Sequence, residues 1–242
     1  MESRVTAIIA AKNEAGRIGR VLKVVCGHPL VDEIITVVNG STDRTEEVAA
    51  TFNTKVINHP GEIGKTLAVK DGLEKATGDY ILLLDADLVG LTQDDITKLL
   101  RPVLDGKVDF TMSLRGNSIM MFKLMKCEFI TGERVMKKSL LTDPFIWARP
   151  EVGYGLEVRM NESLLKHKRT FCSVYLKDVG ITYKARKDGL LSGIKQEINM
   201  WFIQLPKALS LIKVFLQAIR MNQPTQYEDL YPAPEPLLEA AE

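Results

Sequence analysis

Short aliphatic runs alternate along the chain with segments in which apolar residues recur every three or four positions. The runs cover Val5 to Ala10, Glu33 to Val38, Lys55 to Asn58, Tyr80 to Leu84 and Val108 to Leu114. Continuous runs of about four to eight apolar residues are typical of strands buried on both faces, and the intervening spacing is typical of amphipathic helices. The pattern therefore predicts an α/β fold with a doubly wound, mostly parallel sheet flanked by helices.

The alternation weakens beyond Arg115. We expect a helix within residues 117–127, a polar turn and a short helix from Thr131 to Leu141, a helix from Leu156 to Lys168, and a strand from Thr170 to Leu176.

The C-terminal part follows a different pattern. Residues 189–221 predict a long helical region interrupted by Pro206, with lysines and an arginine between strongly apolar stretches. Residues 223–242 contain four prolines and several acids, which predicts a flexible tail.

Composition narrows the functional classes. Lys plus Arg is 32 and Asp plus Glu is 31, so a net charge of +1 gives no reason to expect a nucleic-acid partner. The three widely spaced cysteines argue against a disulfide framework and for a reducing compartment. No signal-peptide pattern precedes Val5, and no uncharged apolar stretch reaches about 18 residues. These features favour a cytoplasmic protein.

Two carboxylates follow the most apolar run: Asp85-Ala86-Asp87 comes directly after Tyr80 to Leu84. Ligands of open α/β sheets bind at the carboxyl ends of the strands, and a period of two would direct both carboxylates to one side. Oxygen ligands suit a hard divalent cation that also binds phosphates. An acidic turn at a strand end is the simpler alternative, and these residues alone do not decide between the two.

Two more polar loops, Lys12-Asn13-Glu14 and Asn39 to Asp43, also lie between a strand and a helix and should reach the same edge. Together with two further stretches they resemble the family 2 glycosyltransferases, which have the GT-A fold and bind nucleotide-diphospho-sugars. The stretches that carry the resemblance are Ala10-Ala11-Lys12-Asn13-Glu14, Asn39-Gly40-Ser41-Thr42-Asp43-Arg44-Thr45, Gly64 to Leu73 with Ala76 to Tyr80, and Asp85-Ala86-Asp87.

The resemblance implies an inverting, metal-dependent transferase that moves a sugar from a UDP- or GDP-sugar donor. It implies Asp87 as the ligand of Mg²⁺ or Mn²⁺, and Asp85 as a catalytic residue near the ribose and metal-bound water. The implied nucleotide-sugar-binding residues are Ala10, Lys12, Glu14, Asn39, Lys65, Asp85, Ala86 and Asp87. Helix capping or a solvated lysine is the alternative reading of the polar ones. Val38 stands where the family usually has a base-binding aspartate, which leaves the choice between uridine and guanosine open.

An inverting transfer needs a base for the acceptor hydroxyl, unless the acceptor is an already ionised phosphate. Glu157 is the candidate implied by the resemblance, and a first-turn helix glutamate is the alternative. Weaker candidates for acceptor or diphosphate contact are Arg134, Tyr154, Lys184 and Arg186. Some relatives place a metal-binding histidine near residues 180–186, where this chain has none.

The expected organisation is one domain over 1–222: a nucleotide-sugar half (1–115), an acceptor half (116–189) and C-terminal helices (190–222). Residues 190–221 also suit a peripheral membrane contact, because Trp201 and Phe202 lie near lysines. That contact would place the protein at the inner face of the membrane, with a lipid phosphate as acceptor. A homodimer is left open.

Two other functions compete with this one. A sugar-phosphate nucleotidyltransferase would share the sheet but needs a glycine-rich turn after the first strand, where this chain has Lys12-Asn13-Glu14. A non-catalytic relative that binds a nucleotide-sugar is the other alternative.

Overall fold

The protein is described by a computed structural model over residues 3–148, 155–181 and 225–232. Within these residues, ten strands form two sheets. They are β1 (Val5–Ala11), β2 (Glu33–Asn39), β3 (Lys55–His59), β4 (Tyr80–Asp85), β5 (Leu88–Val89), β6 (Phe110–Arg115), β7 (Arg134–Lys137), β8 (Phe171–Leu176), β9 (Gly180–Ile181) and β10 (Thr225–Gln226).

The described residues also contain eight helices. They are α1 (Ile18–Val25), α2 (Thr45–Ala50), α3 (Lys65–Lys75), α4 (Gln93–Leu104), α5 (Met120–Leu124), α6 (Pro144–Trp147), α7 (Gly155–Lys166) and α8 (Tyr227–Leu230), with a 3₁₀ turn at Lys138–Leu141. Within this part of the chain, no helix has the length and apolar character needed to cross a membrane.

The large sheet has the order β10-β8-β6-β7-β4-β1-β2-β3, and β5 pairs with β9 separately. β1 pairs in parallel with both β2 and β4, which brings the carboxyl ends of the first strands to one edge. One apolar core lies between the sheet and α1 and α4, and a second lies between the opposite face and α3 and α7. The prediction of a mostly parallel sheet flanked by helices is confirmed.

One element was predicted wrongly. A turn and a helix were expected from Thr131 to Leu141, but Arg134–Lys137 forms β7, antiparallel to both β4 and β6. The gap between those two strands exposes backbone donors and acceptors on both sides, and a short strand satisfies both sets. This requirement is long-range, so the local sequence did not reveal it.

The tail prediction also needs correction at residues 225–232. Thr225 and Gln226 pair in parallel with Cys172 and Ser173 on β8, and Tyr231 donates a hydrogen bond to Asp105. Tyr227 and Leu230 pack against the α4 core. Edge strands offer unpaired backbone groups, and this segment covers part of one. The helices predicted over 190–221 lie outside the described residues.

Gly72 sets the close contact between α3 and the sheet. A Cβ atom there would lie 2.6 Å from Ile8 Cγ2 and 3.3 Å from Val37 Cγ2. We expect Gly72→Ala to lower the free energy of unfolding by about 1–3 kcal/mol through overpacking. Urea denaturation measures this, and Gly16→Ala is the control because no atom lies within 4 Å of its added Cβ. Equal stabilities of the two variants would contradict the prediction.

Candidate active site

The loops after β1 and β2 are joined to each other by hydrogen bonds. The Asn13 N–H donates to Ser41 Oγ (3.0 Å), and the Thr42 N–H donates to Asn13 Oδ1 (2.8 Å). The Ala15 N–H donates to Asp43 Oδ2 (3.1 Å). These bonds confirm that the two polar loops meet at one edge of the sheet.

Asn39 is 95% buried, and its Oδ1 accepts a hydrogen bond from the Ile63 N–H at 2.8 Å. The predicted nucleoside-binding amide therefore holds the loop that leads to α3. Gly40 makes this arrangement possible, because its φ is +64° and an added Cβ would lie 2.4 Å from the Glu62 backbone nitrogen. Lys12 forms an exposed ion pair with Glu62 above this loop.

The other residues predicted to bind the nucleotide-sugar lie at the same edge of the sheet. Glu14 forms an ion pair with Arg17, and its backbone N–H donates to Thr45 Oγ1 at 2.8 Å. Ala10 is paired with Asp85 in the β1–β4 register, while Ala86 is buried. The residues predicted to bind the nucleotide-sugar thus lie at the carboxyl ends of β1, β2 and β4 or in the loops that follow them.

Three predicted residues come together around one ammonium group. Lys65 Nζ lies 2.8 Å from Asp85 Oδ1 and 2.8 Å from Glu157 Oε1. Lys65 begins α3, Asp85 ends β4 and Glu157 lies in the first turn of α7. The side chain of Glu157 is 2% exposed, and its Oε2 is buried without a hydrogen-bond partner.

The charges in this cluster reinforce one another. Burial alone would disfavour the charged form of Lys65, but the two carboxylates outweigh it and raise the pKa of its ammonium. Burial would raise the pKa of Asp85, yet the Lys65 ammonium beside it holds that pKa below its ordinary value. The contact between Lys65 and Asp85 therefore favours the charged form of both groups.

A second layer of charge lies beneath Asp85. Glu133 is completely buried, its Oε2 accepts a hydrogen bond from Ser113 Oγ at 2.6 Å, and Arg115 Nη1 lies 3.7 Å from its Oε1. Burial raises the pKa of the Glu133 carboxyl, and the neighbouring Asp85 carboxylate raises it further, although Arg115 opposes both effects. Arg115 also pairs with the buried Glu128.

Sequence reasoning did not assign a role to Glu133 or Arg115. The signal in the sequence was a charged residue within or next to an apolar strand. Arg115 ends an otherwise uncharged strand, and Glu133 directly precedes β7. A charge within a predicted core usually needs a partner of opposite sign.

Arg134, predicted as a contact for acceptor or diphosphate, is completely buried. Its guanidinium donates to the carbonyl oxygens of Phe129 (2.7 Å) and Thr131 (2.9 Å) and to Asn161 Oδ1 (2.5 Å). Every one of these bonds points into the protein, which gives Arg134 a structural role that the sequence did not predict. Tyr154, Lys184 and Arg186 lie outside the described residues.

Asp87, the predicted metal ligand, lies just beyond the end of β4. β4 ends at Asp85, and Asp87 follows in a turn at the start of β5, half-buried at the edge of the sheet. No group of three or more His, Cys, Asp or Glu residues with metal-binding geometry occurs in the described part of the chain. A carboxylate with few protein co-ligands fits Mg²⁺ or Mn²⁺, which take further oxygens from phosphates and water.

The chain matches a known protein family over most of its length. The sequence model of the family described as Glycosyl transferase family 2 matches residues 6–177. The match covers more than half of the chain, so the chain belongs to this family of transferases.

A solved structure of glucosyl-3-phosphoglycerate synthase from Mycobacterium tuberculosis, in complex with phosphoglyceric acid, superposes with a TM-score of 0.63 at 23% identity. The alignment covers 74% of this chain and 72% of that chain. A complex described as containing Mn²⁺, UDP-glucose and phosphoglyceric acid gives a TM-score of 0.62. This likeness shows the fold, which is of the GT-A type.

Two curated relatives match over shorter ranges. Glucosyl-3-phosphoglycerate synthase of Mycolicibacterium smegmatis is 33% identical over 111 residues, which is 41% of this chain and 36% of the relative. 4,4'-diaponeurosporenoate glycosyltransferase of Staphylococcus aureus is 31% identical over 100 residues, 39% of this chain and 27% of the relative. The matched part thus spans about a third of the relatives' length or less.

The buried Glu133 carboxyl should make stability depend on pH. Because its pKa is raised above the ordinary value of 4.5, its contribution to stability is present below that value and is lost as pH rises through the raised pKa. We expect Glu133→Gln to gain stability relative to the unsubstituted protein as pH increases above 4.5. Urea denaturation from pH 4.5 to 8 measures the difference.

Glu47→Gln is the matched control for this series, because Glu47 is exposed on α2. A constant stability difference between Glu133→Gln and the unsubstituted protein across the range would show that Glu133 does not titrate abnormally.

Proposed function

We propose that this protein transfers a hexose from a UDP- or GDP-sugar to an acceptor, with inversion at the anomeric carbon and with Mg²⁺ or Mn²⁺ as cofactor. The observation that carries the proposal is the cluster of Asp85, Lys65 and Glu157 at the carboxyl end of β4. It combines the half-buried Asp85 carboxyl group, the Lys65 ammonium and the buried Glu157 carboxyl group at the edge where α/β sheets bind nucleotides.

The nucleotide-sugar would be bound by side chains at the carboxyl ends of the first strands. Asp87 would hold the metal ion, which supplies Lewis-acid stabilisation of the leaving diphosphate when bound. Lys65 adds a positive charge close to the same strand end, with 38% of its side chain exposed. Lys12, Glu14 and Asn39 line or support the loops on which the nucleoside would lie.

The acceptor side points to Glu157 as the base. Lys65 occupies Oε1, so Oε2, which is buried and has no hydrogen-bond partner, is the atom that would accept a proton. The acceptor oxygen would bond to the anomeric carbon while the bond to the diphosphate breaks and its electron pair leaves with the diphosphate. The proton of the acceptor hydroxyl would pass to Glu157 Oε2.

The names of similar proteins suggest the class of the acceptor. Names of similar proteins include a phosphoglycerate glucosyl synthase and a diaponeurosporenoate glycosyltransferase, so a small phosphorylated acid and a lipid are both represented. We propose a phosphate- or carboxylate-bearing acceptor. Glu157 would take the proton of a hydroxyl on such an acid, whereas a polyprenyl phosphate, the lipid form, is already ionised and would need no base. Membrane contact through 190–221 and a homodimer stay predictions.

A second candidate is a relative that binds a nucleotide-sugar without transferring it. The specific observation in its favour is Val38, which is 1% exposed near the end of β2. A valine offers no carboxylate to bind the nucleobase of the donor. A nucleotidyltransferase is a weaker alternative, because the loop after β1 carries Asn13 in place of a glycine-rich turn.

Removing the proposed metal ligand tests the donor site. We expect Asp87→Ala to eliminate the increase in nucleotide affinity that Mn²⁺ produces, because the bound metal loses its protein carboxylate. Calorimetry with UDP and GDP, each with and without Mn²⁺, measures this and also shows which base is preferred. Asp94→Ala is the control, since that side chain is 70% exposed on α4. Unchanged metal-dependent affinity in Asp87→Ala would exclude this role.

Glu157→Gln tests the base. The amide keeps the size of the side chain but cannot accept the proton, so kcat should fall by about 100- to 10,000-fold. KM for the donor should change much less. Steady-state kinetics with UDP- or GDP-hexose and a hydroxyl acceptor measure both values, and a kcat within about twofold of the original would exclude Glu157 as the base.

A further inference from the structure

Asp85 lies against a backbone position that has no side chain. An added Cβ on Gly132 would lie 2.4 Å from Asp85 Oδ1, 2.6 Å from Oδ2 and 2.7 Å from Cγ. Carboxylate and backbone therefore touch directly, and any other residue at position 132 would displace the carboxylate. The loop that makes this contact, residues 129–134, is called the support loop below.

The support loop is fixed from inside the protein. Arg134 donates to the carbonyl oxygens of Phe129 and Thr131, so its guanidinium closes the loop on itself. Asn161 Nδ2 donates to the same Phe129 oxygen at 2.7 Å, and Asn161 Oδ1 accepts from Arg134. Arg134, Thr131 and Asn161 are all completely buried.

These bonds also reach the second carboxylate. Asn161 lies four residues after Glu157 on α7, which places the two side chains on one face of the helix. Glu157 holds Lys65, and Lys65 holds Asp85. The contacts therefore form a closed ring, from Asp85 through the support loop to Asn161, along α7 to Glu157, and back through Lys65.

We propose that Gly132, Arg134 and Asn161 are positioning residues that set the separation and orientation of Asp85 and Glu157. This role rests on the proposed function of the two carboxylates. Displacements of about 1 Å in a catalytic group can lower rates by a large factor, so a rigid buried support has a direct functional effect. In this proposal, the buried guanidinium of Arg134 holds the support loop in place and does not contact a ligand.

A double-mutant cycle tests the contact itself. Gly132→Ala should destabilise the protein when Asp85 is present, because the new Cβ and the carboxylate cannot occupy the same space. In an Asp85→Ala background the carboxylate is gone, and the same substitution should have at most a small effect. Urea denaturation of the four proteins measures the coupling. Equal effects of Gly132→Ala in both backgrounds, or no effect in either, would overturn the proposal.

Binding and kinetics test the consequence for function. We expect Gly132→Ala to weaken binding of UDP with Mn²⁺, or of GDP if that base is preferred, by about tenfold or more. Gly16→Ala, whose added Cβ meets no atom within 4 Å, should leave affinity unchanged. If the unsubstituted protein binds neither nucleotide, the proposed function fails, while the unfolding cycle still decides the contact.

The distant part of the ring has its own matched pair. Asn161→Ala removes a link of the ring, whereas Ser163→Ala removes a hydrogen bond from the same helix to Asp143, outside the ring. The Ser163 bond is part-buried, because the Asp143 side chain is 22% exposed. Both variants should lose stability, but only Asn161→Ala should lower kcat/KM by about tenfold or more. Equal activity of the two variants, measured well below their unfolding midpoints, would show that Asn161 is merely structural.

Discussion

The Lys65 ammonium between Asp85 and Glu157 is the interaction on which the rest of the site depends. Two carboxylates brought this close would repel each other and resist burial without a cation between them. The three groups come from α3, β4 and α7, so their meeting requires both halves of the fold. The same contact explains why the end of β4 tolerates a half-buried charge.

Charge balance extends below this cluster. Arg115 and Arg134 add two buried cations, Glu128 adds a carboxylate, and Glu133 has a raised pKa that favours its neutral form. Arg115 pairs with Glu128 and its Nη1 lies 3.7 Å from Glu133 Oε1, while Lys65 pairs with Asp85 and Glu157. Networks of this kind stabilise a structure only when their members are paired, and they then fix one arrangement. These contacts connect β6, β7 and α7 to the carboxyl end of β4.

The first strands and helices could be predicted from the sequence because their signals are local. The apolar runs of β1 and β4 and the spacing in α1 and α4 depend only on neighbouring residues. β7 could not be predicted this way, since its four residues are a strand only because two other strands leave a gap. Resemblance identified Asp85, Lys65 and Glu157 one by one. Their joint contact, and the burial of Arg134, depend on residues far apart in the chain.

The order of the strands has a consequence for how the protein forms during synthesis. The four strands from β1 to β4, and α3 between them, all lie within the first 85 residues, so Lys65 and Asp85 can pair early in the growing chain. Glu157 becomes available only much later, and β10 reaches the outer edge of β8 last of all. Contacts between distant parts of a chain form slowly, because a long loop must close first. The nascent protein would therefore form the sheet edge proposed to bind the nucleotide before Glu157, the proposed base, is in place. Catalytic activity would be among the last properties to appear.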